Sequence, residues 1–336
     1  MSTLNPSTTI IPGDTGACGY YRLIQVANML QGIGKEVYLF PPTKFKGIGQ
    51  DIIYTQRITS NGSLEPLLKF KESTGVKLIV DFDDLTWLYK GEGLPDYNYC
   101  KTKVDCKANT EAMEKYAAKV IDKATCSTEY LKNALSEYID PKKITVMPNR
   151  LSVKDWLFDT ATSIPEEDIF MYAGSATHYD NANKKSGDFN NGWIKYLSNK
   201  KVITMANTPY FIKPVAAFPG YPMSTYPRSF CNIARKAKFV IAPLADNVFN
   251  KCKSNLKYLE CCAVGRVCIV TDFPDSPYKD AHPLQKVSPD ATYLSIEHTI
   301  EECKKHYGEI LQYQYDYLKN IARSEERRVG KECRSR

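Results

Sequence analysis

No run of apolar residues approaches the roughly 20 needed to cross a bilayer. The opening stretch, MSTLNPSTTIIPGD, lacks a basic region followed by an apolar one. Neither a transmembrane segment nor a signal peptide is therefore expected, and the chain reads as cytoplasmic. No CxxC pair occurs among the eleven cysteines, and their number is odd. That argues against a disulfide framework or a zinc site and for free core thiols, Cys261 and Cys262 in an apolar helical stretch among them. A large excess of one charge is also missing. The formal net charge is +7, but residues 323–336, RSEERRVGKECRSR, hold six basic and three acidic residues and no apolar periodicity. They read as a foreign tail and are set aside, which leaves +4, a weak argument for nucleic acid.

What is present is a 336-residue chain, 43% hydrophobic and 25% charged, which suits a soluble protein of two domains. Its first half alternates strand and helix patterns. TTIIP, EVYLF, DIIYT, VKLIVDFDD and KITVMPN read as strands. YRLIQVANMLQGIG reads as a helix ended by Gly32 and Gly34, and EPLLKFKESTG as one ended by Gly75. TEAMEKYAAKVIDKA reads as a helix, and STEYLKNALSEYI as another with Ser127 as N-cap. Near-continuous apolar strands alternating with helices predict a parallel, doubly wound sheet. After residues 151–166 the alternation restarts. DIFMYAG, KVITMAN, KFVIAPL and RVCIVTD are strands; NGWIKYLSN, STYPRSFCNIARKA and SNLKYLECCAV are helices; one long helix closes the pattern. The expected fold class is α/β, two Rossmann-like parallel-sheet domains facing a cleft. The expected spans are an N-terminal domain 1–150, a linker 151–166, a C-terminal domain 167–296 and a helix 297–322 crossing back to the first domain.

Ligands of open α/β sheets bind beyond the carboxyl ends of the strands. Four stretches lie there. GDTGACGYYR places Gly16, Gly19, Tyr20 and Arg22 at a helix start, where exposed amides and a guanidinium attract phosphate or carboxylate oxygens. An ordinary strand–helix turn explains the same glycines. DFDDLTW offers Asp81, Asp83 and Asp84 for capping, for orienting an acceptor, or for a divalent metal. GSATHYDN places Gly174 and Ser175 in a turn with His178 just beyond. In KSNLKYLECCAVGRVCIVTD, Lys253 and Lys257 are four apart, the spacing of one helical face. Ser254 can cap that helix, and Glu260 can accept two hydroxyl hydrogen bonds, as the 2′ and 3′ groups of a ribose require. The plainer alternative is a solvated lysine face.

LECCAVGRVCIV resembles the donor-site segment of GT-B glycosyltransferases of the family-4-like type, in phage and bacterial form. Glu260 stands at the family's ribose-binding glutamate and Gly265 at its turn glycine. YAGSATH is similar to the first strand and loop of the family's C-terminal domain, and GACGYYR to its N-terminal glycine-rich loop. The chain departs from the family at Cys252, where a second glutamate often stands, and at Lys253, Ser254 and Asn255, where the family often has Gly-Phe-Gly. The resemblance implies transfer of a sugar from a nucleotide-sugar donor, UDP-linked, to an acceptor hydroxyl with retention. Gly174, Ser175, Ser254, Asn255 and Glu260 would bind the donor. Lys253, Lys257 and the amides near Ser254 would stabilise charge on the departing diphosphate, and His178 is a further catalytic candidate, with no metal and no cofactor. The acceptor would sit near Gly16, Gly19, Tyr20, Arg22, Asp81, Asp83 and Asp84, and domain closure would exclude water. It would be a glycan, a small molecule, or a hydroxylated base in DNA. For DNA, tyrosine-rich stretches such as LYKGEGLPDYNYC and FPGYPMSTYP, with Lys101, Lys103, Lys107, Lys184 and Lys185, would supply stacking and backbone contacts. Two rival readings are a GT-A enzyme with Asp81-Phe82-Asp83 as a metal motif, and a silent nucleotide-binding scaffold.

Overall fold

The computed structural model describes residues 7–14, 16–40, 51–88, 103–152, 155–156 and 163–334. The chain divides into two compact units. Unit 1 is Met1–Arg150 with Asn247–Ser254, and unit 2 is Leu151–Asp246 with Asn255–Arg336.

Unit 1 runs β1 (Thr8–Ile11), α1 (Ala17–Gly19), a π-helical turn (Tyr20–Ile24), α2 (Gln25–Gly32), β2 (Val37–Leu39), β3 (Ile52–Gln56), α3 (Asn61–Thr74), β4 (Lys77–Phe82), α4 (Lys103–Val120), β5 (Lys123–Cys126), α5 (Glu129–Leu135) and β6 (Ile144–Val146). The six strands pair in parallel in the order β2-β1-β3-β4-β5-β6. Leu78, Val80, Leu64, Met113, Ala117 and Val120 are fully buried between sheet and helices. Each of the larger aliphatic side chains among them contributes about 1.5–3 kcal/mol by burial. Gly75 ends α3 in the left-handed conformation (φ 70°), as read from the sequence.

Unit 2 begins with β7 (Ile169–Gly174) and continues through α6 (Asn191–Leu197), β8 (Lys201–Ala206), β9 (Ala216–Phe218), α7 (Tyr226–Ala234) and β10 (Phe239–Ala242). The chain then forms α8 (Val248–Lys251), which belongs to unit 1, and returns as α9 (Leu256–Val264). After α9 come β11 (Val267–Thr271), β12 (Lys286–Val287), α10 (Tyr293–Lys305) and α11 (Tyr307–Arg334). The strand order is β12-β11-β10-β7-β8-β9, again all parallel. Phe170, Trp193, Phe239, Ile269, Ile296 and Ile300 form its core. Arg266 is buried there, and its guanidinium donates to the carbonyls of Ala237, Gly265, Ser163 and Arg235 at 2.8–3.0 Å. It ties Ser163 to the residues around the start of β11.

Several local expectations differ. The helix read through Ala124 stops at Val120, and Lys123–Cys126 is a strand. Asp122 makes the break, since its carboxylate accepts the Leu78 amide (2.8 Å) and the Lys71 ammonium (2.7 Å) and locks the turn. The N-cap of α5 is Thr128, whose Oγ1 accepts the Leu131 amide; Ser127 instead donates to the Asp83 carbonyl. The terminal helix is two helices that part at His306. The second runs into the segment set aside as a tail. Cys106 is disulfide-bonded, against the expectation of thiols throughout. Cys18, Cys126, Cys231, Cys252, Cys261, Cys262, Cys268 and Cys303 are thiols outside any disulfide.

Candidate functional site

In unit 2 the strand order reverses between β7 and β10, so the loops leaving those two strands flank the switch point. β7 ends in Gly174, and Ser175 precedes a single 3-10 turn, Ala176–His178. A Cβ on Gly174 would collide with the buried Tyr172 hydroxyl, which is why the strand ends in glycine. Ser175 is exposed, its hydroxyl 2.6 Å from that of Thr177. His178 Nδ1 lies 2.7 Å from Asp188 Oδ2. The other oxygen of Asp188 accepts the Ala245 amide at 2.9 Å, so one buried carboxylate joins the β7 and β10 loops.

Glu260 lies on α9 and is 2% exposed. Its Oε2 is 2.6 Å from Lys257 Nζ and accepts the Tyr226 hydroxyl at 3.2 Å. Lys257 also lies over the Phe230 ring, 4.9 Å from its centroid, and Trp156 packs edge-on against Tyr226 and Phe230. Burial opposes the ammonium, but the neighbouring Glu260 outweighs it and holds Lys257 well above the ordinary lysine range. Gly265 caps α9 with φ 67°, a left-handed turn that feeds β11. Asn255 is the N-cap by position, but its amide donates to the Tyr317 hydroxyl at 2.8 Å rather than capping α9.

Lys253 and Ser254 precede α9, so the shared helical face read from their spacing with Lys257 does not form. Both cluster with unit 1. Lys253 Nζ is 3.5 Å from Asp84 Oδ1, and Ser254 Oγ accepts the Asn149 amide at 2.7 Å. Nor does Ser254 cap the helix.

In unit 1 the strand order reverses between β1 and β3. The amides that the sequence offers to an anion already hold one. Asp14 Oδ1 accepts the Gly16 amide at 2.8 Å and the Gly19 amide at 3.1 Å. Its Oδ2 accepts from Arg57 at 2.9 Å, and Arg57 also grips Asp83 through two donors. Arg57 adopts φ 60°, an unusual conformation for a residue with a side chain. Arg57 draws Asp83 below the ordinary carboxylate range, although burial works the other way. Arg22 and Asp81 are buried against each other, at 3.0 and 2.7 Å. Asp81 also accepts from Thr125, and Arg22 from its other end donates to Asn149 Oδ1 at 3.0 Å and to the Met147 carbonyl. Tyr20 is buried, packed edge-on against Tyr21. Asp81, Asp83 and Asp84 thus face three different cations, Arg22, Arg57 and Lys253. Among the described residues no group of three His, Cys, Asp or Glu is placed to hold a metal ion.

Asp14, Arg57, Asp188 and Tyr226 were not singled out in the sequence. Asp14 had a signal, since Asp two residues before a loop glycine favours a side chain that folds onto its own backbone. The others are brought in by tertiary structure. Lys184 and Lys185 are exposed on a short hairpin, and Lys107 pairs loosely with Glu111. Lys101 and the stretch 89–100 lie outside the described residues, as does the side chain of Lys103.

No protein-family model and no curated protein matches the chain. Among solved structures, the lipopolysaccharide outer core galactosyltransferase WaaB in its apo form is 13% identical, with a TM-score of 0.54, over 93% of this chain and 96% of that one. A mutant of S. aureus TarM, in complex with Fondaparinux, alpha-GlcNAc-glycerol and UDP, is 10% identical with a TM-score of 0.49, over 80% of this chain and 51% of that one. The UDP-GlcNAc 2-epimerase from Methanocaldococcus jannaschii is 11% identical with a TM-score of 0.44, over 88% and 91%. The likeness to WaaB, with six parallel strands in each sheet, identifies the fold as the two-domain, Rossmann-like GT-B fold. Among the described residues no helix is long and apolar enough to cross a membrane.

Proposed function

We propose that the protein is a glycosyltransferase that moves a sugar from a UDP-sugar to an acceptor hydroxyl, without a metal and with retention. The observation that carries this reading is the Glu260–Lys257 pair on α9, one buried carboxylate and one ammonium 2.6 Å apart. It lies in a unit whose strand order is that of dinucleotide-binding sheets. The bonds from Lys257 and Tyr226 fall on one oxygen of Glu260. A carboxylate has about four acceptor positions, and the vicinal hydroxyls of a ribose would use two of them. Lys257 would stabilise charge on the leaving diphosphate, together with the Gly174–Ser175 turn and His178 at the switch point. Fold kinship with a galactosyltransferase supports sugar transfer.

Lys253 and Ser254 receive no part in this scheme, since Asp84 and Asn149 engage them. The acceptor role passes to unit 1, at the switch point between β1 and β3. Asp14, Arg57 and Asp83 form a linked charge cluster there that reaches solvent through Asp14, whereas Arg22 and Asp81 are sealed against each other and serve the fold.

Thermal stabilisation by UDP-, GDP- and ADP-sugars, followed by calorimetry on the parent and on Glu260→Ala, tests the reading. One nucleotide class should shift the melting temperature. The variant should lose about 1–3 kcal/mol of binding, the worth of hydrogen bonds to a charged group. Equal binding of every nucleotide by parent and variant would rule the site out.

A further inference from the structure

Between β7 and α6 the chain makes an excursion that ends where it began. It leaves at His178 and turns back through a two-residue bridge in which Asp180 and Lys185 exchange both backbone hydrogen bonds, at 2.8 and 2.9 Å. It returns through Gly187 to Asp188, whose amide donates to the His178 carbonyl at 2.9 Å. Gly187 has φ 59°, and a Cβ there would strike that same carbonyl, so only glycine permits the close return. The hairpin is fastened sideways too. Asn181 donates to the Thr208 carbonyl at 2.9 Å and accepts the Tyr210 amide at 2.8 Å. Loops leaving β7, β8 and β10 are thereby tied together through Asn181 and Asp188.

The consequence falls on the imidazole. Asp188 is buried, its side chain 2% exposed, while that of His178 is 24% exposed. As a carboxylate, Asp188 only accepts hydrogen bonds. One oxygen takes the Ala245 amide and the other faces His178 Nδ1 at 2.7 Å, so Nδ1 must carry a proton. Nε2 is then the nitrogen turned away from the clasp. It accepts when the ring is neutral and donates when the ring is charged.

We propose that Asp188 is a positioning residue that fixes His178 in the Nδ1-protonated form, so that Nε2 meets the diphosphate of the donor. The second half of this statement rests on the glycosyltransferase reading above; the first does not.

The test uses the full-length protein labelled with 15N-histidine, whose four histidines are assigned with the help of His178→Gln. In the parent above its titration, the neutral His178 ring should carry its proton on Nδ1. A proton on Nε2 in the parent overturns the proposal without any variant. In Asp188→Asn the single amide oxygen must stay with the Ala245 amide, which turns the –NH2 group to Nδ1 and drives the proton to Nε2. An unchanged tautomer in a folded variant also overturns the proposal. Calorimetry with UDP then reads the ligand. Asp188→Asn and His178→Gln should each weaken UDP about tenfold, the scale of one charge-assisted hydrogen bond, and the double variant no further. Loss of affinity in Asp188→Asn but not in His178→Gln overturns action through the ring. If the parent binds no nucleotide, the glycosyltransferase reading fails, while the tautomer still decides whether Asp188 sets the ring.

Discussion

The ammonium of Lys257 and the carboxylate of Glu260 lie 2.6 Å apart, three residues along α9, with the acid sealed at 2% exposure and the base at 23%. A pair so placed bears on stability and, under the proposed function, on ligand binding by different routes, and substitutions can separate them.

Lys257→Met leaves a buried carboxylate without its cation. Breaking a buried pair costs about 3–5 kcal/mol, and less where one partner reaches solvent as Lys257 does. The double variant Lys257→Met/Glu260→Leu should recover most of that loss, because a packed apolar pair replaces a buried charged one. Chemical denaturation reads the stability and UDP calorimetry the binding. We expect the double variant to fold and not to bind.

The raised pKa of Lys257 gives a pH dependence of definite sign. A lysine whose folded pKa exceeds its unfolded value contributes stability in full below the unfolded value, about 10.4, and loses it as pH rises through the folded one. Titration of Lys257 should therefore leave stability flat from about pH 6 to 9. Asp83 has the opposite sign, with its folded pKa depressed beside Arg57. Its contribution is present above about pH 4 and falls as pH drops through the folded value. Asp83→Asn should flatten that acid limb, as measured by melting temperature against pH.

Arg57 holds two acids from a left-handed backbone. Arg57→Gly loses the ion pairs but relieves the backbone, whereas Arg57→Ala loses them and keeps the strain. The order of stability should be Arg, then Gly, then Ala, with Gly above Ala by about 1 kcal/mol. Ala above Gly in urea denaturation would contradict the strained conformation.

Two glycines should respond in opposite directions to alanine. Gly187→Ala forces a Cβ onto the His178 carbonyl at positive φ and should destabilise by more than about 1 kcal/mol. Gly62→Ala places a Cβ in open space on α3 and should stabilise by about 0.4–1 kcal/mol. Melting curves of the two variants check the pair.

Buried Arg266 spreads its guanidinium over four carbonyls. Lysine cannot reproduce that planar fork, so Arg266→Lys should cost about as much as Arg266→Met, several kcal/mol in either case. A fully stable lysine variant would show that charge alone suffices.

Some of this was local and therefore legible. Gly75 and Gly265 end helices because the backbone needs a left-handed residue there, and each is followed by an apolar strand. Glu260 could be marked because a carboxylate shortly after a helix start can accept two hydroxyl hydrogen bonds and because LECCAVGRVCIV resembles a donor-site segment. Other features misled. KATC is too short to show a period, and its identity as β5 depends on Asp122 capturing the Leu78 amide from another strand. The four-residue spacing of Lys253 and Lys257 suggested one face, but α9 starts only at Leu256.

By itself the order of residues determined most of the alternation of strands and helices, though not β5, β9 or β12, together with the parallel character of both sheets and the place of the acid on α9, because these follow from periodicity and from caps within a few residues. Only the tertiary structure decided which acid meets which base. Arg22 finds Asp81 across 59 positions, Arg57 takes Asp14 and Asp83, and Asp188 returns to His178 around a hairpin. Such pairs depend on strand order and loop closure, where a charge chooses the partner that lets it leave water at least cost.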